Sequence, residues 1–293
     1  MSFAAEYLAE LEAFAARSPL PRVRALHLPP AQANRNDGDN KGEFCALELD
    51  DGSLGLSYVL LDDTLARLHD GADGLGLAGA DALDVARRYA SAVPGDTASH
   101  NFFGKTIGFA AANALTRCLF DRAGFRPEDS ADSIGQMNPQ AGEQIGMIGL
   151  FRPLLKRILE SGARLTVVEL KAELAGDAEG YRVTLDANEL IACSKVVSTS
   201  TLLLNDTLER MLDCCRNANW FAMVGPSAGC LPDALFARGV TLLGGSWIRD
   251  REGFIAALKS GEPRNEFAGK FALTAESYPG FEALLARACA GRC

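Results

Sequence analysis

No run of about 18 uninterrupted apolar residues occurs anywhere in the 293-residue sequence, so no membrane-spanning helix is expected. Nor is there a block of Lys or Arg. The basic residues are scattered and the formal net charge is −9. Phosphate backbones need a basic surface, which argues against a general nucleic-acid role, and acidity of this size mostly serves solubility. Histidine is scarce: His27, His69 and His100 show no metal-ligand spacing. Of these, His100 is placed near the start of an expected helix, where it could face a second domain. None of the eight cysteines, at 45, 118, 193, 214, 215, 230, 289 and 293, belongs to a CxxC pair. A zinc ribbon and a thioredoxin motif are therefore excluded. The first residues lack the basic start of a signal peptide and carry Glu6, Glu10 and Glu12 where it would be apolar. The expectation is a cytoplasmic chain with reduced thiols.

What is present reads as two folded units. Nearly half of the residues are apolar, and the length is comfortable for two domains. Leu8, Leu11 and Ala15 sit at helical spacing within Met1 to Arg17. Arg22 to Leu28 alternates like a strand, and residues 33 to 42 are polar and loop-like. Glu43 to Leu49 and Leu54 to Leu61 flank Asp50-Asp51-Gly52-Ser53, a hairpin signal. A short helix over 80–92 should end at Pro94-Gly95, and Ser99 can cap a long one reaching about Phe120. In the latter, Ile107, Ala110, Ala111, Ala114, Leu115, Cys118 and Leu119 make one buried stripe. Gly104, Gly108, Ala111 and Ala112 would let a neighbour approach closely.

A polar connection over 125–140 suggests a boundary, giving an α+β unit at 1–128 and a Rossmann-like unit at 129–293. In the second unit, strand-like runs at 144–148, 164–168, 195–198, 220–224 and 240–243 alternate with helices at 153–161, 206–217, 232–238 and 252–260. Tyr181 to Leu185 adds a short strand or a crossover, and a last helix starts near Gly280. This pattern implies a parallel sheet covered on both faces.

Three strand-to-helix loops could carry chemistry. Ile145 to Pro153 places Gly149 before a helix with proline in its first turn, a place where anions bind. The dinucleotide fingerprint is incomplete, because Phe151 stands where a third glycine would be. Glu169, twenty residues after Gly149, has the spacing of a ribose-binding acid. The plainer alternative is a tight turn with Glu169 solvated. Ser198 to Thr207 offers four hydroxyls before a helix capped by Asp206 with Glu209 three residues on. Ordinary capping residues are the equal alternative. Gly225 to Gly229 spells G-x-S-x-G, but no histidine follows it, so a hydrolase elbow is disfavoured. A small loop lining a shared pocket reads better, since ligands of open α/β sheets collect at the strands' carboxyl ends. Among the cysteines, Cys215 faces the core and Cys214 lies beside that face. Cys230 is either a small core residue or, with further donors, a ligand for a soft metal.

Lys105 to Leu115, Ile145 to Phe151, the Thr-x-Thr-x-x-x-Asn-x-Thr-Leu order of 199–208, and Val224 to Ser227 followed by Pro232 and Gly239 together resemble the putative heavy-metal chelation family of bacteria and archaea. The likeness runs from about Leu54 to Gly261. It implies an N-terminal domain like the capping domain of enolase, a Rossmann-like domain, and a cleft between them for a metal or metal chelate. Carried over, the cleft residues are Lys105, Asn113, Gly149, Phe151, Glu169, Thr199, Thr201, Asn205, Gly225, Pro226 and Ser227. Ala228-Gly229-Cys230 departs from the family's more polar run there. A small-molecule or metal-chelate binding protein is the preferred reading. In it Lys105 balances charge and Glu169 accepts hydrogen bonds or ligates a hard metal, the cofactor being a transition metal or its chelate. The alternative is a nucleotide- or S-adenosylmethionine-dependent transferase or oxidoreductase. No catalytic residue is assigned. The identity of the ligand, the question of catalysis, and the choice between monomer and homo-oligomer stay open.

Overall fold

The computed structural model describes residues 1–31, 43–91, 98–130 and 137–290, apart from the side chains of residues 72, 73 and 98–102. The predicted loop at 33–42, the Pro94-Gly95 stop, and the side chains of Ser99 and His100 lie outside the described residues.

Helix α1 (Phe3–Arg17) is capped by Ser2, whose Oγ accepts from Ala5 N, and buries Phe3, Tyr7, Leu8, Leu11 and Phe14. Strands β1 (Val23–His27), β2 (Phe44–Leu49) and β3 (Leu54–Tyr58) form an antiparallel sheet in that order. The hairpin turn is where the Asp-Gly pair places it: Gly52 has φ +89°, and Asp51 Oδ1 accepts from Ser53 N at 2.9 Å. Helices α2 (Thr64–Gly71) and α3 (Ala82–Arg87) follow, the latter capped by Asp81.

Helix α4 (Ala98–Arg122) differs from its expectation. In place of one buried stripe, nearly every described side chain from Lys105 to Phe120 is buried, Arg117 being half-buried. Strands β2 and β3 and helices α1, α2 and α3 pack around it, joined by α9 (Phe281–Ala290) at the end of the chain. A helix apolar all round belongs at a centre. Close approach rests on glycine at two places. A Cβ at Gly55 of β3 would lie 2.1 Å from Ala110 O and Ala114 N, and one at Gly108 would lie 2.3 Å from Tyr89 N. Gly104, also expected to admit a neighbour, has no heavy atom within 4 Å of such a Cβ.

The second sheet is built from β4 (Gln144–Ile148), β5 (Arg164–Val168), β6 (Gly176–Ala178), β7 (Tyr181–Thr184), β8 (Lys195–Thr199), β9 (Trp220–Val224), β10 (Leu242–Ile248) and β11 (Ala268–Leu273). Its order is β11-β10-β9-β8-β4-β5-β7-β6. The six inner strands are parallel, and β6 and β11 pair antiparallel at the two edges. The expected α/β class holds, with the sheet mostly parallel. Helices α5 (Arg152–Glu160), α6 (Leu208–Cys214), α7 (Asp233–Phe236) and α8 (Arg251–Ser260) connect the strands. Phe254 and Leu258 of α8, with Ile248 of β10, cover Ala46, Leu54 and Leu56 of the small sheet. The small sheet is thus covered on both faces, which is why β2 and β3 read as continuous apolar runs. No helix among the described residues is long and apolar enough to cross a membrane.

Where α1 meets α7 and α9, Glu10 is caught without an obvious counter-ion. Its Oε2 is buried and has no hydrogen-bond partner among the described residues. Burial, then the charges of Asp233, Glu6 and Glu282, push its carboxyl up to about 8. Asp233 is committed elsewhere, accepting from Tyr278 Oη at 2.7 Å and Phe281 N at 2.9 Å. The folded chain therefore keeps a proton that the unfolded chain releases above the ordinary carboxylate range. Stability associated with Glu10 is greatest at acid pH and falls as pH rises through about 8. Urea unfolding between pH 5 and 9 is expected to show this decline, and Glu10→Gln to flatten it. Replacing Gly55 by alanine should cost at least about 1–3 kcal/mol, read in the same assay, because helix backbone cannot yield to the new methyl.

Candidate functional site

The chain enters the large sheet at β4, proceeds outward through β5 and β7, and returns to place β8 on β4's other side. The carboxyl ends of β4 and β8 therefore form a topological switch point, where open α/β sheets place their ligands. Gly149 ends β4 with φ +82°, and a Cβ there would come within 3.2 Å of Thr199 Cγ2 at the end of β8. Its N–H donates to Val168 O at 2.9 Å. Leu150 N donates to Glu169 Oε1 at 2.6 Å, and Leu170 N to Glu169 Oε2 at 3.1 Å. Phe151 is the N-cap of α5, and its N–H contacts Met147 Sδ at 3.3 Å. The chain's own carboxylate thus closes the Gly149 turn, and the half-buried Glu169 is bonded to backbone N–H groups instead of standing free at a strand end.

The next loop is also largely self-satisfied. Thr199 Oγ1 accepts from Thr201 N at 3.2 Å and shares a 3.0 Å hydrogen bond with Thr201 Oγ1, capping a 3₁₀ turn over Ser200–Leu203. Asn205 Oδ1 accepts from Thr207 N at 3.3 Å and from Thr207 Oγ1 at 2.5 Å. The expected capping box is absent. Helix α6 begins after Thr207, and Asp206 stands at φ +58° with its carboxylate on Lys105. Glu209 turns to α1, its Oε1 accepting from Phe3 N at 3.3 Å.

In the third loop Gly225 has φ +150°, and a Cβ there would lie 2.3 Å from Ser200 Oγ. Ser227 is fully buried and its Oγ has no partner among the described residues. No reactant could reach it, which agrees with the disfavoured hydrolase reading. Its carbonyl accepts from Asn113 Nδ2 at 3.0 Å, and the same amide donates to Leu56 O at 2.8 Å. Asn113 Oδ1 accepts from Tyr7 Oη at 3.1 Å. One amide therefore ties α1, β3 and the Gly-Pro-Ser loop to α4. Pro226 and Gly229 border a void of about 30 Å3 beside Trp247, on whose ring the Arg117 guanidinium stacks at 3.8 Å. Cys230 is buried, and burial pushes its thiol up. Among the described residues no three His, Cys, Asp or Glu side chains are grouped to hold a metal ion. Cys230 thus lacks the further donors a metal role would need.

The larger hollow, about 130 Å3, lies to one side of these loops. Its walls come from the start of α1 (Ser2, Phe3), from Tyr89 to Ser91, from Lys105 of α4, and from Leu202, Asp206 and Glu209. Lys105 is the buried charge within it, with a side chain 7% exposed against 65% for its partner Asp206. The ammonium also lies 5.9 Å from the centroid of the Tyr89 ring, whose hydroxyl donates to Leu203 O at 2.6 Å. The single shared hollow expected from sequence is therefore divided. Gly149, Thr199 and Gly225 crowd the switch point, Asn113 and Ser227 are internal fastenings, and only Lys105 of the anticipated set borders the cleft. Tyr89 and Glu209, outside the anticipated cleft set, also line this hollow, as does Asp206 of the candidate loop Ser198 to Thr207. The one available signal for Asp206 was the Asn-Asp pair at 205–206, since these residues tolerate a left-handed backbone.

Loss of the Asn113 amide would take its donor from Ser227 O and Leu56 O and leave Tyr7 Oη with Thr116 Oγ1 alone in the interior. Asn113→Ala is expected to destabilise by roughly 2–4 kcal/mol, measured by urea unfolding, well beyond an average point substitution.

Residues 132–276 match the family DUF364, described as putative heavy-metal chelation. The uncharacterized protein MJ0500 of Methanocaldococcus jannaschii is 29% identical over 169 residues. That alignment takes in 56% of this chain and 62% of the archaeal protein, so the chain spans less than two thirds of that relative. Two solved structures of DUF364 proteins of unknown function share the fold. The one from Desulfitobacterium hafniense superposes with a TM-score of 0.63 at 18% identity, over 94% of this chain and 100% of the other. The one from Pyrococcus horikoshii gives 0.64 at 16% identity, over 92% and 100%.

Proposed function

Over residues 132–276 the chain belongs to DUF364, described as putative heavy-metal chelation, and from that premise we propose that it binds a small anionic metal chelate in the cleft above Lys105. The observation that carries this reading is a lysine buried at a cavity wall with an exposed carboxylate as its partner. A buried ammonium is retained where an anion must be met, because its desolvation is offset only by a paired charge. The described side chains do not suit a bare metal ion, which needs several grouped donors. A chelate brings its own donors and presents carboxylates or similar groups outward, which is what a single cation can hold. In this reading the chain divides at 128/129. Lys105 and Tyr89 come from the first unit, Asp206 and Glu209 from the second, and the ligand sits between them. The switch-point residues Gly149, Thr199, Thr201, Asn205 and Gly225 shape the loop that carries Asp206. A nucleotide- or S-adenosylmethionine-dependent enzyme has less support, since Glu169 is bonded to Leu150 N and Phe151 blocks close backbone approach.

The test is a thermal-shift titration with nickel, cobalt, iron and copper as citrate or nitrilotriacetate complexes, beside the aquo ions and the metal-free chelators. At least one complex is expected to raise Tm more than its metal-free chelator does, with stabilisation approaching about 2.7 kcal/mol at a hundredfold excess over Kd. Lys105→Met should abolish it. Failure of every complex to bind below millimolar concentration, or binding indifferent to Lys105→Met, would overturn the proposal.

A further inference from the structure

We infer that Asp206 is an internal stand-in for the ligand: an oxyanion, carboxylate or phosphate, takes its place on Lys105 when the cleft is filled. This rests on the cleft being the binding site and specifies what enters it. The two partners differ sharply in freedom. Lys105 is buried within the second turn or so of a long helix, whereas Asp206 stands on a loop with two thirds of its side chain in solvent. Breaking a pair that holds a buried charge is strongly unfavourable unless another counter-charge arrives. The cleft can therefore lose Asp206 only to another anion. The aspartate also occupies the left-handed region at φ +58°, which an L-residue other than glycine, asparagine or aspartate seldom adopts. That conformation aims its carboxylate at Lys105 and forfeits the N-cap of α6, which has no side-chain cap bond. Releasing Asp206 frees it for that cap, so part of the displacement cost is returned. Of the three N–H donors of an ammonium, Asp206 is the partner found for Lys105 among the described residues. An oxyanion with two or three acceptor oxygens uses these donors more fully than a single Asp206 contact does. Glu209 also faces the cleft, but its Oε1 accepts from Phe3 N, which ties that charge to the start of α1.

Calorimetric titration of the full chain with inorganic phosphate and with succinate, at constant ionic strength set with chloride, tests the exchange. Asp206→Asn removes the competing charge while keeping a left-handed-tolerant residue. It is expected to bind one of the two anions about tenfold more tightly than the parent, a difference of about 1.4 kcal/mol. Lys105→Met should bind neither. The anion that responds identifies the chemistry, phosphate or carboxylate. Unchanged or weaker binding of both anions by Asp206→Asn overturns the exchange, as does retained binding in Lys105→Met. If Lys105→Met fails to fold, Asp206→Asn decides alone. A nickel–citrate titration on the same proteins separates the two ideas. Chelate binding without any gain in Asp206→Asn removes the exchange and leaves the cleft, whereas loss of both removes the cleft reading as well.

Discussion

Over residues 105–116 helix α4 is buried on every side, leaving no solvent face for a polar group, and this constraint organises the molecule. Helix α4 carries Lys105, Thr106, Asn113 and Thr116 into the interior. Asn113 and Thr116 are met by α1 through Tyr7, Asn113 also by β3 and the Gly-Pro-Ser loop, and Lys105 by Asp206. Thr106 Oγ1 has no hydrogen-bond partner among the described residues, but for Lys105, Asn113 and Thr116 each partner helps to fix where a neighbouring segment runs. The small sheet, α1 and the loops of the large sheet are therefore placed relative to one another by a few side chains of one helix. Glycine completes the arrangement, since Gly55 and Gly108 bring backbone to backbone where a methyl would not fit.

The switch point of the large sheet shows the same economy. Its geometry is that of a ligand crevice, yet the carboxylate of Glu169 closes the Gly149 turn and Thr199 fills the space beside it. The hydroxyls that follow β8 bond to one another and to backbone. The same loop carries Asp206 in the left-handed region, at φ +58°. A position that binds ligands in related architectures serves here to build the wall of an adjacent cleft.

Much of the fold was legible in local pattern. The Asp50–Ser53 turn, the five apolar runs from 144 to 243 and the helices between them follow from signals a few residues long, because backbone propensity and alternation act locally. The two antiparallel edge strands were not. All three residues of β6 are exposed, and β11 alternates around Lys270, so neither carries the apolar run of an inner strand. Helix α6 was expected to begin at Asp206 and begins two residues later, because the long-range attraction of Lys105 outweighed a local cap.

The residues themselves determined a mixed α/β chain, its glycine turns and the family likeness, since each depends on short motifs or on spacing along one element. Only the tertiary structure decided that Glu169 satisfies Leu150, that Asn113 is a fastening, and that Lys105 faces Asp206 across a hollow also bordered by Ser2, Tyr89 and Glu209. Those facts join residues up to about two hundred positions apart. No periodicity along the chain encodes which of them will share a cavity, because that follows from how whole helices and sheets exclude water together.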